Sequence, residues 1–168
     1  MPEILPNWHP AAVHFPIALS ITATLLLLVA SLRPGNPMLP ATARLLLYLS
    51  AASALLTVAL GWHAYLTVEH DAAGHLVMLR HRNWAMASTA GLLALALWSA
   101  WHQRTGKDSD LVLLPAMLLI SGGLSFTGWL GGEMVYRHGV GVSASAFVST
   151  QPSTEERQPA AAEIPANP

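Results

Sequence analysis

Histidine is the residue type with the clearest capacity for chemistry in this sequence. The chain has eight histidines, as many as its lysines and arginines together. Imidazole binds transition metals and haem iron, and it exchanges protons near neutral pH. Cysteine is absent, which excludes disulfides, iron–sulfur clusters, thiolate zinc sites and covalently attached c-type haem. A metal or haem site would therefore draw mainly on histidine and carboxylate side chains.

The few charged residues mark out the elements that must position these histidines. Only 10% of the 168 residues are charged and 53% are hydrophobic, whereas a soluble domain usually has about a quarter charged residues. Four uncharged stretches each reach the length of about 20 residues that a helix needs to cross a bilayer. The sequence predicts an all-α membrane protein, an up-down bundle of four transmembrane helices near residues 10–32, 42–66, 82–103 and 111–135.

The domain organisation follows from a change in composition after Val142. Residues 1–142 are predicted to form the four-helix transmembrane domain, and the polar, proline-containing residues 143–168 a disordered tail. Residues 67–80 are predicted to form a loop. The leader 1–7 carries no positive charge, so the first helix is expected to remain as an anchor. The sequence shows no convincing internal repeat.

Charge also bears on localisation and partners. The segment before the first helix has no lysine or arginine, whereas the first loop contains Arg33 and Arg44. This difference favours an orientation with both termini outside, because positively charged loops stay in the cytoplasm. The expected location is the bacterial inner membrane, which the chain would cross several times. A formal net charge of −1 gives no indication of a nucleic-acid partner. The expected surroundings are the lipid bilayer.

The helix count places most histidines on one membrane face. Since successive helices alternate in direction, the start of the first, the end of the second, the start of the third and the end of the fourth lie together. His102 is expected on the opposite face. The other seven are expected together, and they are His9, His14, His63, His70, His75, His81 and His138.

Depth separates these histidines further. Ionisable residues at membrane depth are costly and usually face the bundle interior. With the first helix taken from Pro10, His14 lies about 6 Å along its axis. His63 is a few residues inside the end of the second helix, and Glu133 lies inside the fourth. These three residues are the strongest single candidates, whereas His81 is expected at the mouth of the third helix.

Small residues in the fourth helix allow close contacts. The segment from Gly128 to Gly132 holds a small-xxx-small pair, which lets helix backbones approach in lipid. The same glycines could make room for a flat ligand.

Two segments resemble a known family. His9-Pro-Ala-Ala-Val-His-Phe-Pro-Ile-Ala18 is similar to the opening "HPxxVHFPIA" motif of domain-of-unknown-function family 2231, a bacterial and archaeal membrane family. The segment from Gly131 to Val142 resembles its closing "GGxLVYxHGxGV" motif, with Met134 where the family often has leucine. Gly61-Trp62 and His81-Arg82 resemble weaker landmarks between them, so the resemblance covers about residues 7–142.

The resemblance implies a four-helix integral membrane domain of undetermined activity. Relatives can be joined to Rieske-type or cytochrome c domains, which implies a redox setting for some members. The family positions carried onto this chain are His9, Pro10, His14, Phe15, Pro16, Gly131, Gly132, Glu133, Tyr136, His138, Gly139 and Gly141.

Three functional hypotheses remain open from the sequence. The first is a haem b site for electron transfer, with His14 and either His81 or His63 as axial ligands, and with Arg82 or Arg137 pairing with propionates. His138 is a further candidate ligand. The second is a zinc or copper site built from His14, His63, His81 and Glu133.

The third hypothesis is a non-catalytic membrane subunit of a redox complex. Its partner would be a membrane or periplasmic redox protein, or a second copy of the chain. The sequence has no nucleophile–base arrangement and no phosphate-binding loop, so a stand-alone enzyme is not predicted.

Overall fold

A computed structural model describes residues 7–106 and 110–142 of the protein. All regular structure in these two ranges is helical. The predicted tail, residues 143–168, lies outside the described residues. The helices are α1 (His9–Ala12), α2 (His14–Leu32), α3 (Met38–Thr67), α4 (Ala72–Arg104) and α5 (Asp110–His138).

The first transmembrane span consists of α1 and α2, which are separated at Val13. Pro16 has no N–H to donate to the carbonyl of Ala12, four residues earlier. The hydroxyl oxygen of Thr57 on α3 lies 3.2 Å from that carbonyl oxygen, while its shorter hydrogen bond, at 2.8 Å, goes to the carbonyl of Ser53. The hydroxyl of Ser50, also on α3, donates to the carbonyl of Pro16 at 2.9 Å. Side chains of α3 therefore hold the entry of the first span in place.

Four helical segments are long and apolar enough to cross a membrane: α1 with α2, then α3, α4 and α5. The spans His9–Leu32, Met38–Thr67, Ala72–Arg104 and Val112–His138 contain 24, 30, 33 and 27 residues respectively, and about 20 suffice for the hydrocarbon core. Each long helix packs against two neighbours, in the ring order α2, α3, α4, α5. The predicted all-α bundle of four transmembrane helices is confirmed.

Large apolar side chains face outward and small or hydroxyl side chains face inward. Leu119 is 79% exposed and Leu97 is 72% exposed, which suits lipid but would be costly in water. The core holds Leu47, Leu92 and several alanines. The buried hydroxyl residues are Ser20, Thr24, Ser50, Thr57, Ser88, Thr89, Ser99, Ser121 and Thr127. Some of them join helices, as Thr24 does with Ser121 at 2.8 Å.

The connection between α3 and α4 is shorter than the predicted loop over residues 67–80. It spans only residues 68–71, because Asp71 caps α4: its carboxylate accepts a hydrogen bond from the N–H of Gly74 at 2.6 Å. His81 consequently lies more than two turns inside α4, and not at the mouth of a helix as the sequence predicted.

Candidate functional site

A cavity of about 440 Å³ lies at one end of the bundle. Its volume falls within the range of about 300–1,000 Å³ that is usual for small-molecule sites. Every helix contributes to its wall: examples are His9 of α1, Ile17 of α2, Gly61 of α3, His81 of α4 and Leu124 of α5. Its walls are largely apolar, so polar groups that reach it are the candidates for chemistry.

His9 is one of these groups. Its Nδ1 atom lies 3.0 Å from the carbonyl oxygen of Thr57 on α3. Since a carbonyl only accepts hydrogen bonds, Nδ1 carries the proton, and the Nε2 lone pair of the neutral ring stays available. The ring packs on Gly61, where a Cβ atom would lie 2.8 Å from the His9 Cε1 atom. Glycine therefore makes room for this ring.

His81 on α4 has the same arrangement. Its Nδ1 atom lies 3.0 Å from the carbonyl oxygen of Thr127 on α5, so the same tautomer follows. The ring lies beside Gly131, where a Cβ atom would be 3.4 Å from the His81 Cε1 atom.

The two histidine rings are neighbours. The ring centroids of His9 and His81 are 6.0 Å apart and the ring planes meet at 89°. Among the described residues, neither Nε2 atom has a hydrogen-bond partner. A metal-binding histidine typically donates its other ring N–H to a carbonyl or carboxylate, which fixes the ring and its tautomer. Both rings meet this condition.

A positive charge lies at the same cavity. The guanidinium of Arg82 stacks over the ring of Tyr65, with its central carbon 5.3 Å from the ring centroid. Both side chains line the cavity. An apolar cavity with a cationic group in its wall suits a largely apolar ligand that carries an anionic substituent.

Many residues that the sequence selected line this cavity. His14 is among them, but its side chain is exposed and its Nδ1 atom bonds locally to the carbonyl of Ala11 at 3.2 Å. The predicted site and motif residues in the wall are His9, Pro10, His14, Pro16, His81, Arg82, Gly128, Gly131, Gly132, Tyr136 and Gly141.

Other predicted residues lie away from the cavity wall. His63 is exposed at the end of α3. Glu133 and Arg137 form an i,i+4 ion pair with an N–O distance of 3.3 Å, so Arg137 already has an anionic partner. The remaining residues outside the wall are Phe15, His138 and Gly139.

The four predicted zinc or copper ligands, His14, His63, His81 and Glu133, are not brought together. Across residues 7–106 and 110–142, no group of three or more histidine, aspartate or glutamate side chains is placed to hold a metal ion.

Sequence reasoning assigned His9 only to the family motif and missed its place beside His81. Depth along the first helix favours His14 when the helix is counted from Pro10, whereas α1 begins at His9 and ends before Val13. A signal was nevertheless present: α3 and α5 share a Thr-xxx-Gly spacing, at Thr57–Gly61 and Thr127–Gly131.

No curated protein and no solved structure matches the chain. A family model described as a predicted membrane protein (DUF2231) matches residues 6–144. The match includes every helix of the bundle and both histidine motifs from which the resemblance was drawn. The chain therefore belongs to the DUF2231 family of predicted membrane proteins.

Proposed function

We propose that this membrane protein binds one haem b in the histidine-lined cavity and serves electron transfer. The observation that carries the proposal is the pair His9 and His81, whose rings share one apolar cavity and are each fixed through Nδ1 by a backbone carbonyl. Haem bound without thioether links needs one or two axial ligands, for which histidine is suited, and an apolar slot for the ring. Since the chain lacks cysteine, the binding would be non-covalent.

The ring separation supports a single iron between the two histidines. An imidazole nitrogen lies about 2.0–2.1 Å from a transition metal such as zinc, so two rings on one ion have centroids about 5–6.5 Å apart. The observed centroid distance of 6.0 Å falls in this range.

Arg82 supports haem over a bare metal ion. Haem carries two propionates, and arginine pairs well with carboxylates. Arg82 lies in the cavity wall, whereas Arg137 pairs with Glu133 outside it. We therefore assign the propionate-binding role to Arg82 and not to Arg137.

The position of the cavity supports electron exchange at one membrane face. The cavity lies at the end of the bundle that carries the exposed tryptophans Trp8, Trp62, Trp84 and Trp129, and tryptophan is enriched at the membrane–water interface. When bound, haem supplies a one-electron carrier. The residues of this chain hold and orient it near the surface, where a membrane or periplasmic redox partner can approach.

The test is an absorption spectrum of the detergent-purified protein from a haem-replete host. We expect a Soret band and one haem per chain, and we expect His9→Ala and His81→Ala to lower the haem content. His63→Ala is the matched control, because His63 lies at the same end but outside the cavity. A colourless preparation would refute the proposal, as would bound zinc or copper without haem.

A further inference from the structure

The two halves of the bundle repeat one set of contacts. In the first half, His9 reaches from α1 to the carbonyl of Thr57 on α3; in the second, His81 reaches from α4 to the carbonyl of Thr127 on α5. Both Nδ1–O distances are 3.0 Å, and the partners are separated by 48 and 46 residues respectively. The repetition is visible in these contacts although the sequence showed no convincing repeat.

The repetition extends to the surroundings of each carbonyl. Each threonine hydroxyl donates to the carbonyl four residues earlier, Thr57 to Ser53 and Thr127 to Gly123, both at 2.8 Å. Each threonine is followed four residues later by the glycine on which its histidine ring lies. The two histidines thus occupy equivalent half-sites with the same tautomer and the same free nitrogen.

Equivalent half-sites have a consequence for a metal held between them. A site with one strong ligand and one open position would need the two histidines to differ in anchoring or in access to the cavity. His9 and His81 share both features: each is held through Nδ1 by a carbonyl at 3.0 Å, and each is half-buried in the cavity wall. They are therefore placed to act together.

From this equivalence, and resting on the proposed haem function, we infer that His9 and His81 ligate the iron from opposite sides at the same time. Both axial positions are then filled by the protein, which closes the centre to O₂, CO and other external ligands. The surroundings of the axial positions decide between oxygen binding and electron transfer in haem proteins. A centre closed in this way transfers electrons and does not activate oxygen.

The ring orientation gives this inference a spectroscopic signature. The two ring planes meet at 89°, and perpendicular axial imidazoles on low-spin ferric haem give a strongly anisotropic electron paramagnetic resonance signal. The expected protein is six-coordinate and low-spin in both oxidation states. Its reduced Soret band does not shift under CO.

The experiment compares the purified holoprotein with His9→Ala, His81→Ala and the control His63→Ala. We expect the wild-type protein and the control to be low-spin and inert to CO. Each alanine variant of a proposed ligand is expected to retain some haem that is five-coordinate and binds CO. Added imidazole should restore the low-spin spectrum in the haem that co-elutes with the folded protein on gel filtration, whereas haem released from a misfolded variant would not co-elute.

The outcomes separate this inference from the proposed function. A wild-type protein that contains haem but is high-spin, or that binds CO, would overturn the paired ligation and leave haem binding intact. A variant at position 9 or 81 that stays six-coordinate and low-spin would likewise overturn it, because another residue would then be the ligand. Absence of haem from the wild-type protein would overturn both proposals.

Discussion

The ring of His9 packs against the backbone of Gly61, at a distance that leaves no room for a side chain on that residue. A Cβ atom there would lie 2.8 Å from Cε1 and 2.9 Å from Nδ1 of the imidazole. The equivalent contact in the other half is looser, with 3.4 Å between a Cβ atom at Gly131 and Cε1 of His81. The two half-sites therefore differ in their tolerance of an added methyl group.

Gly61→Ala is expected to destabilise the protein by about 1–3 kcal/mol, because overpacking forces the His9 ring or the helix to move. Gly131→Ala should cost less. The control is Gly122→Ala, where a Cβ atom meets nothing within 4 Å and where alanine should stabilise the helix by up to about 1 kcal/mol. Chemical unfolding in detergent micelles measures all three. Equal stability of the Gly61 and Gly122 variants would contradict the observed packing.

The buried contact between Thr24 and Ser121 leads to a second prediction. The two hydroxyl oxygens are 2.8 Å apart and link α2 to α5. In a double-mutant cycle of Thr24→Val and Ser121→Ala, we expect a coupling free energy of about 0.6 kcal/mol, the average for such bonds in a membrane protein. Thr22→Val is the matched control, because the exposed Thr22 hydroxyl bonds only within its own helix. Coupling as large between Thr22 and Ser121 would count against a specific contact.

The number of spans was predictable because charge is excluded from a bilayer interior whatever the details of packing. Four uncharged stretches were enough to predict four helices, and the structure has four. Helix ends were less predictable, since polar residues are tolerated where a helix projects beyond the hydrocarbon. The nine residues from Ala72 to Arg80 illustrate this: the sequence predicted that they belong to a loop, but the Asp71 cap begins α4 before them.

The candidate site was predictable only as a region. Alternation of helix direction brought the histidine-containing ends together, and the structure places His9 and His81 there as a pair. Which histidine faces inward depends on the rotation of each helix and on the interruption at Val13. Counting residues along one helix axis gives neither the rotation of the helix nor the interruption at Val13, and such a count therefore favours His14.

The cap of α4 leads to a third prediction. Asp71→Ala removes the carboxylate that accepts the N–H of Gly74, and loss of such a cap costs about 0.5–2 kcal/mol. Glu69→Ala is the control, because Glu69 is exposed in the same connection and does not cap the helix. The free energies of unfolding of both variants in detergent check this prediction. A loss as large for Glu69→Ala would indicate a general charge effect in place of capping.

Variants of Arg82 and Arg137 test which of the two arginines binds the haem propionates. A charged hydrogen bond contributes about 1.5–3 kcal/mol, so Arg82→Gln should weaken haem affinity about tenfold to hundredfold. Arg137→Gln should leave the affinity unchanged, because its partner Glu133 lies outside the cavity wall. Haem titration of the apoprotein, followed at the Soret band, measures both. An unchanged affinity for the Arg82 variant would remove this residue from the site.

The orientation of the bundle can be tested with single cysteines, because the natural chain contains none. Glu69→Cys places a thiol in the connection between α3 and α4, at the cavity end, and Thr105→Cys places one beyond α4 at the opposite end. The absence of lysine and arginine before the first helix, against Arg33 and Arg44 after it, favours the cavity end outside. A membrane-impermeant maleimide added to intact cells should therefore label the cysteine at position 69 and not the one at position 105, whereas permeabilised cells should show both. Labelling of position 105 alone in intact cells would show the opposite orientation. The proposed electron-transfer partner would then have to approach from the cytoplasm.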